Sequence, residues 1–254
     1  MNIIVPIKLV PDLVEELKVD DRGTSLDLDW LRLRINEFDD HAIEQAILLK
    51  ENGGGQVIVI GLDGDGADDA LFTAAAKGAD QIIKLTGDFE PLVTNHVLAR
   101  WLAPVVKSLR PNLVLTGVQA HNDLDGPLGP LLAEYMGVPY VGYVADVKLG
   151  ESRAEIRKEY PGGLSAEFEV YLPVVLGIQA ASQPPRYVAF SKIRQAMKTI
   201  TLEEMPVPVI SLEDGTVIQR LYQPEIAATA EMISGDVEEV ATRLVAIFVE
   251  SGVL

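Results

Sequence analysis

The side chains that carry most protein chemistry are scarce in this chain. It has three histidines, His41, His96 and His121, and no cysteine. No histidine has a companion at metal-ligand or Ser-His-Asp spacing. The missing thiols remove disulfides, thiolate metal sites, iron–sulfur ligation and cysteine nucleophiles together. His41 and His96 fall in helical stretches, where the residue type is more often surface or boundary than catalyst; His121 follows a strand end. Neither a metalloenzyme nor a triad hydrolase is indicated.

Two loops offer something else. The acidic run Leu62-Asp63-Gly64-Asp65-Gly66 has neither the G-x-G-x-x-G order of a dinucleotide fingerprint nor the G-K-[ST] ending of a P-loop, and no Glu completes an EF-hand. It reads as a tight turn with Asp at a helix start, whose backbone can line a pocket at the carboxyl ends of parallel strands. The second loop, Gly117 to Gly129, places polar residues at a strand end and glycine before a helix with Pro127 in its first turn. Backbone N–H groups at such a start can hold a phosphate. Alternatively, Asp123 or Asp125 caps that helix.

These loops need a scaffold, and the pattern supplies one. Asn2 to Val10 is an apolar strand closed by Pro11 and Asp12. A helix follows from Asn36, with Phe38, Ala42, Ala46 and Leu49 at helical spacing, and Gly53-Gly54-Gly55 ends it. Strand Gln56 to Gly61, a helix stopping at Gly78, strand Gln81 to Leu85, a helix from about Leu92 to Leu109, strand Leu113 to Gly117 and a helix from about Gly126 to Met136 continue the alternation. Near-continuous apolar strands between helices specify a parallel sheet covered on both faces. The fold class is α/β, doubly wound and Rossmann-like.

Beyond Gly150, Leu164, Ala166, Phe168, Val170 and Leu172 alternate with polar residues and pair with Arg153 to Tyr160 across Pro161-Gly162-Gly163 as an antiparallel hairpin. Leu172 to Ile178 is apolar. A segment carrying Arg186, Lys192, Arg194 and Lys198 then forms a basic island. Val240, Leu244 and Phe248 mark a helix from Val237 to Val249 at the end of a C-terminal arm. The expected division is 1–205, containing a hairpin at 150–173 and a basic segment at 184–198, and an arm at 206–254.

Composition narrows the partners. The 254 residues are 48% hydrophobic and 23% charged, an ordinary folded composition, with 21 Lys plus Arg against 38 Asp plus Glu and a net charge of −17. Such a field repels nucleic acid and anionic lipid. Met1 to Val10 lacks the n-region of a signal peptide, and no run of about 18 apolar residues occurs to span a bilayer. A reducing compartment is expected.

Val5-Pro6-Ile7-Lys8, the run Asn36-Glu37-Phe38-Asp39-Asp40-His41-Ala42-Ile43-Glu44-Gln45-Ala46, Gly117-Val118-Gln119-Ala120 and Leu172-Pro173-Val174-Val175 with Pro185-Arg186-Tyr187 and Ile193 to Lys198 stand in order along the chain. Together they resemble the beta (small) subunit of electron transfer flavoproteins. The resemblance implies a non-catalytic electron carrier, cytoplasmic or in the mitochondrial matrix of a eukaryote. It would pair with an alpha subunit that holds most of the FAD and would serve dehydrogenases such as acyl-CoA dehydrogenase, with a quinone oxidoreductase as one further partner. It implies AMP in a pocket matching Pro6, Ile7, Asn36, Leu62, Asp63, Ala120, Asp123, Gly126, Leu128 and Gly129, or a second FAD there in electron-bifurcating members. It also implies a docking segment of Arg186, Phe190, Lys192, Arg194 and Met197, with Phe190 as the apolar anchor.

Three departures from that pattern stand out. Pro127 stands where the common beta subunits carry a polar residue, often glutamine, and Leu128 follows it; neither side chain can donate to a phosphate, so an anion must rely on backbone N–H groups, and Pro127 removes one. Glu90-Pro91-Leu92-Val93-Thr94 keeps only one threonine of the bifurcating pattern. The docking segment ends in Thr199-Ile200-Thr201 where some relatives have a lysine run, which points to a different dehydrogenase. The reading is a beta subunit with AMP or nothing in its pocket. The alternatives are a bifurcating subunit and an adenine-nucleotide-binding signalling or stress module, which would not need the hairpin, docking segment or tail. An enzyme acting on an adenylated substrate is disfavoured by the missing phosphate-loop motifs and scarce acid–base residues.

Overall fold

The computed structural model describes residues 1–28, 31–87, 89, 93–207, 217–224, 230 and 232–254, which fall into two compact units, Met1–Leu221 and Tyr222–Leu254. In the first unit the strands alternate with helices in chain order: β1 (Asn2–Pro6), β2 (Leu9–Pro11), β3 (Leu33–Ile35), α1 (Glu37–Gly53), β4 (Gln56–Leu62), α2 (Ala67–Lys77), β5 (Gln81–Thr86), α3 (Asn95–Ser108), β6 (Leu113–Gly117) and α4 (Leu128–Met136). There follow β7 (Tyr140–Leu149), β8 (Arg153–Tyr160), β9 (Leu164–Tyr171), β10 (Val174–Ile178), α5 (Phe190–Thr199) and β11 (Leu202–Pro206).

Nine strands form one sheet in the order β11-β5-β4-β1-β6-β10-β7-β8-β9, parallel from β11 to β7 and antiparallel through β8 and β9. The central strands are continuously apolar because both faces are covered. Ile3, Val5, Val57, Val59, Leu113 and Leu115 join α1 and α2 in one core, while Ile4, Ile58, Ile60 and Val114 point to the other side against α3 and α4. The hairpin pairs Tyr160 with Leu164 in the expected register. Gly162 and Gly163, both at positive φ, turn the chain without the steric cost a side chain would add.

Three elements differ from the sequence expectation. The strand from Asn2 to Val10 is broken. β1 stops at Pro6, and Leu9–Pro11 leaves to pair antiparallel with β3 in a separate two-stranded sheet. The break falls at Lys8, whose N–H goes to the Asp39 carboxylate and whose carbonyl accepts from Asn36 N–H, so neither continues the ladder. The helix expected from about Gly126 begins at Leu128, because Gly126 takes φ +100 and Pro127 is extended. β11 has no strand signature in sequence, yet it pairs with β5 at the sheet edge, where adjacent Glu203 and Glu204 and a terminal Pro206 are tolerated.

Among the described residues the second unit contains one helix, α6 (Val237–Glu250). Asp236 and Glu239 close a capping box: the Asp236 carboxylate accepts from the N–H groups of Glu238 and Glu239 at 2.9 Å, and Asp236 N–H donates to Glu239 at 3.2 Å. Val240, Leu244 and Phe248 lie on one face, and this unit supplies no second helix or strand among the described residues to cover them. Among the described residues no helix is long and apolar enough to cross a membrane.

Candidate functional site

The order in which successive strands are laid down reverses between β1 and β6, which stay parallel, and the carboxyl ends of strands at such a point are where doubly wound sheets bind ligands. Here the N-terminus of α1 ties the two strand ends together. Asp39 is 5% exposed and accepts from Lys8 N–H and from Gly117 N–H, each at 2.8 Å. Burial pushes its carboxyl up to about 6, and the two backbone donors and Lys8 only partly offset that rise. Gly117 is obligatory: a Cβ there would sit 2.4 Å from Asp39 Oδ1 and 2.8 Å from Phe38 Cβ. Asn36, 3% exposed, donates its amide to the Gln119 carbonyl at 2.9 Å and so fastens the loop that follows β6.

That loop is folded on itself and onto α3. Asp123 accepts from Ala120 N–H (2.8 Å), Lys8 Nζ (2.6 Å) and the Asn95 amide (2.7 Å). Asn95 in turn accepts from Lys8 Nζ at 3.0 Å and donates to the Gly126 carbonyl at 2.6 Å. Asp125 receives the N–H groups of Asn95 (3.0 Å) and His96 (2.9 Å) and thereby caps α3. Neither aspartate caps α4, whose N-cap is Pro127 without a side-chain hydrogen bond. Gly129 serves packing, since a Cβ there would lie 2.7 Å from both Thr116 Oγ1 and the Tyr140 ring.

Beside this network lies a cleft of about 700 Å³, within the range of small-molecule sites. Ile7, Leu33, Leu62, Val93 and Leu98 give it apolar walls, and Asp63, Gly64 and Asp65 form one rim. Asn122 also lines it, and among the described residues its buried Oδ1 has no hydrogen-bond partner, an acceptor whose pairing is still to be met. Of the expected pocket residues, Ile7, Leu62 and Asp63 line the cleft. Asn36, Ala120, Asp123 and Gly126 build the adjoining network, Leu128 and Gly129 are buried in α4, and Pro6 ends β1. Glu90, Pro91 and Leu92 lie outside the described residues, whereas Thr94 caps α3 through Val97 N–H. Sequence reasoning missed Lys8, Asp39 and Asn95, whose partners are remote in the chain. Among the described residues no group of three His, Cys, Asp or Glu could hold a metal.

The expected docking segment is an amphipathic helix, α5, that packs on α2 and buries only Ala196. Phe190 is 65% exposed with the Arg194 guanidinium 4.7 Å over its ring, and Met197 and Tyr187 are exposed nearby in sequence. Arg186 is not part of this outward face, because Glu44 and Glu51 hold it against α1.

Comparison with known proteins gives a consistent result. The model of the electron transfer flavoprotein domain matches residues 31–210. The chain is 32% identical to electron transfer flavoprotein subunit beta of Methylophilus methylotrophus, with 98% of each chain covered, and 32% identical to the subunit of the same name from Clostridium acetobutylicum over 96% of each. A mitochondrial subunit beta from Oryza sativa subsp. japonica is 28% identical over 96% of this chain and 97% of its own.

Proposed function

The chain belongs to the electron transfer flavoprotein family as a beta-type subunit, and from that premise we propose that it is the electron-carrier subunit of a heterodimer whose FAD is held mainly by an alpha-type partner. The observation that carries this reading is α5, which places an aromatic residue and the cations Lys192 and Arg194 on the surface and contributes little to its own core. An exposed aromatic ringed by polar groups is the form a docking anchor takes. The basic residues attract an acidic partner surface in a chain otherwise carrying −17.

FAD, when bound in the heterodimer, supplies the redox chemistry. This chain's residues position the flavin domain, exclude water from it and present the docking face. Donors are dehydrogenases such as an acyl-CoA dehydrogenase, and a quinone oxidoreductase is the acceptor. The chain itself performs no catalysis and works in the cytoplasm, or in the mitochondrial matrix where a eukaryote carries it, following its bacterial and mitochondrial relatives.

The cleft takes the adenosine part of AMP. Its apolar walls suit a purine, and Asn122 Oδ1 suits an amino or hydroxyl donor. Lys8 is already paired with Asp123, so the phosphate is left to backbone N–H groups. The α6 stripe docks on the partner subunit. Deleting Asp236 to Leu254 should therefore abolish co-purification with that partner while the α/β unit stays folded; a heterodimer retained at normal affinity would refute this.

The test is to denature the isolated, purified chain and chromatograph the released small molecules. AMP without flavin supports the reading. Stoichiometric FAD would instead make it a bifurcating subunit with a flavin of its own.

A further inference from the structure

Besides Asp39, helix α1 buries two further residues that an amphipathic helix normally turns to water: Glu44 and Gln45 are each 2% exposed. What covers them is the chain between β10 and α5. Ala181 N–H donates to His41 Nδ1 at 3.2 Å, Ser182 N–H donates to Gln45 Oε1 at 2.9 Å, and the Ser182 hydroxyl donates to Asp146 at 2.7 Å. Arg186 closes the segment. Its backbone N–H donates to Glu44 Oε2 at 2.9 Å, and its Nε and Nη2 reach Glu44 Oε1 at 3.0 and 2.8 Å. Its Nη1 and Nη2 reach the two Glu51 oxygens at 2.7 and 3.1 Å.

One planar guanidinium therefore spans two carboxylates seven residues apart, two turns along one face of α1, a geometry that the point charge of lysine cannot reproduce. The pairing holds Arg186 protonated well above its ordinary range and Glu51 below its own. Four residues later α5 begins at Phe190, with no side-chain cap and a single buried residue to fix it. The packing of α5 on α2 holds the body of the helix, and the anchored segment before it sets how the chain enters at Phe190.

We propose that Glu44 and Arg186 are positioning residues for partner docking: the clamp fixes the entry of α5 and so holds Phe190 and Arg194 in their binding geometry before a partner arrives. This rests on the reading of α5 as the docking helix. Binding by a pre-ordered anchor avoids an ordering cost that a loosened one must meet at each encounter.

The experiment uses the heterodimer with Arg186→Lys, Glu44→Gln and the milder Glu51→Gln, which removes a half-exposed partner and leaves the buried pair in place. Hydrogen exchange across 181–193 and steady-state reduction of the flavin by the donor dehydrogenase are measured on each. Arg186→Lys should speed exchange in 187–193 and raise the KM for the dehydrogenase about ten-fold with kcat nearly constant, the effect expected of lost pre-organisation. Glu51→Gln should move both readouts in the same direction by less, and it decides the matter should the buried variants not fold. Unchanged exchange overturns the clamp. Faster exchange with unchanged KM, while Phe190→Ala raises KM, overturns positioning and leaves α5 as the docking helix. If Phe190→Ala also leaves KM unchanged, the docking reading fails first.

Discussion

β6 and β10 lie side by side in the sheet, and the loops that leave their carboxyl ends use polar residues in opposite ways. After β6, Asp123, Asp125, Asn95 and Lys8 satisfy one another inside the protein, while Asn122, which lines the cleft, keeps a buried Oδ1 without a partner among the described residues. After β10, the polar contacts of Ala181 to Arg186 bind the chain down onto α1, and the helix that follows turns Phe190, Lys192, Arg194 and Met197 outward. A polar motif at a strand end is thus no guide to function by itself. In the first loop most of the motif maintains the architecture; in the second the residues left exposed are the ones available to a partner.

The contrast breaks first at Asp39. Asp39→Ala leaves the buried Gly117 N–H and the partly buried Lys8 N–H without an acceptor, and should cost about 3 kcal/mol of stability in urea unfolding. A loss below 0.5 kcal/mol, on the order of an ordinary surface substitution, would mean that the loop does not depend on this staple. Phe190→Ala should leave the melting temperature unchanged, because the ring is exposed, but slow electron transfer from the dehydrogenase by about 30-fold, the weight of a typical anchor. Transfer from a small dye should not slow. Equal losses in both reactions with a lower melting temperature would return Phe190 to a structural role.

Capping supplies a smaller effect. Asp236→Ala removes the acceptor for two N–H groups at the start of α6 and should reduce the stability of that helix by about 1 kcal/mol, read by exchange protection in 237–243. The subtlest test is the titration of Asp39 in the folded chain. Its carboxyl should titrate near 6 against an ordinary 3.8. Between those values the folded state holds a proton that the unfolded state has lost, so this group's contribution to stability is fully present below about 4 and is lost as pH rises through 6. A carbon-detected midpoint near 4 would contradict the buried, weakly compensated carboxylate described above.

Much of the scaffold was legible because it rests on local patterns. Strand Leu113–Gly117, the glycine ends of α1 and α2, and the hairpin turn at Pro161-Gly162-Gly163 are all fixed by residues within a few positions of each other. The strand at Leu202–Pro206 was not legible, since its stability comes from pairing with β5, more than a hundred residues earlier in the chain. The same holds for the site. The Gly117 to Gly129 loop announces itself by composition, but periodicity carries no trace of Lys8 reaching Asp123, or of Arg186 reaching Glu44 and Glu51. Such pairs exist only once the sheet has brought remote segments together, and they reassign residues that composition alone would leave free.

The most direct test of the electron-carrier reading is a flavin count. Co-expressed with the alpha-type subunit of its own organism, the chain should purify as a yellow one-to-one heterodimer that releases one FAD per dimer on denaturation, while the chain expressed alone is colourless. A colourless mixture that never associates, or a chain that is yellow with stoichiometric FAD by itself, would contradict it.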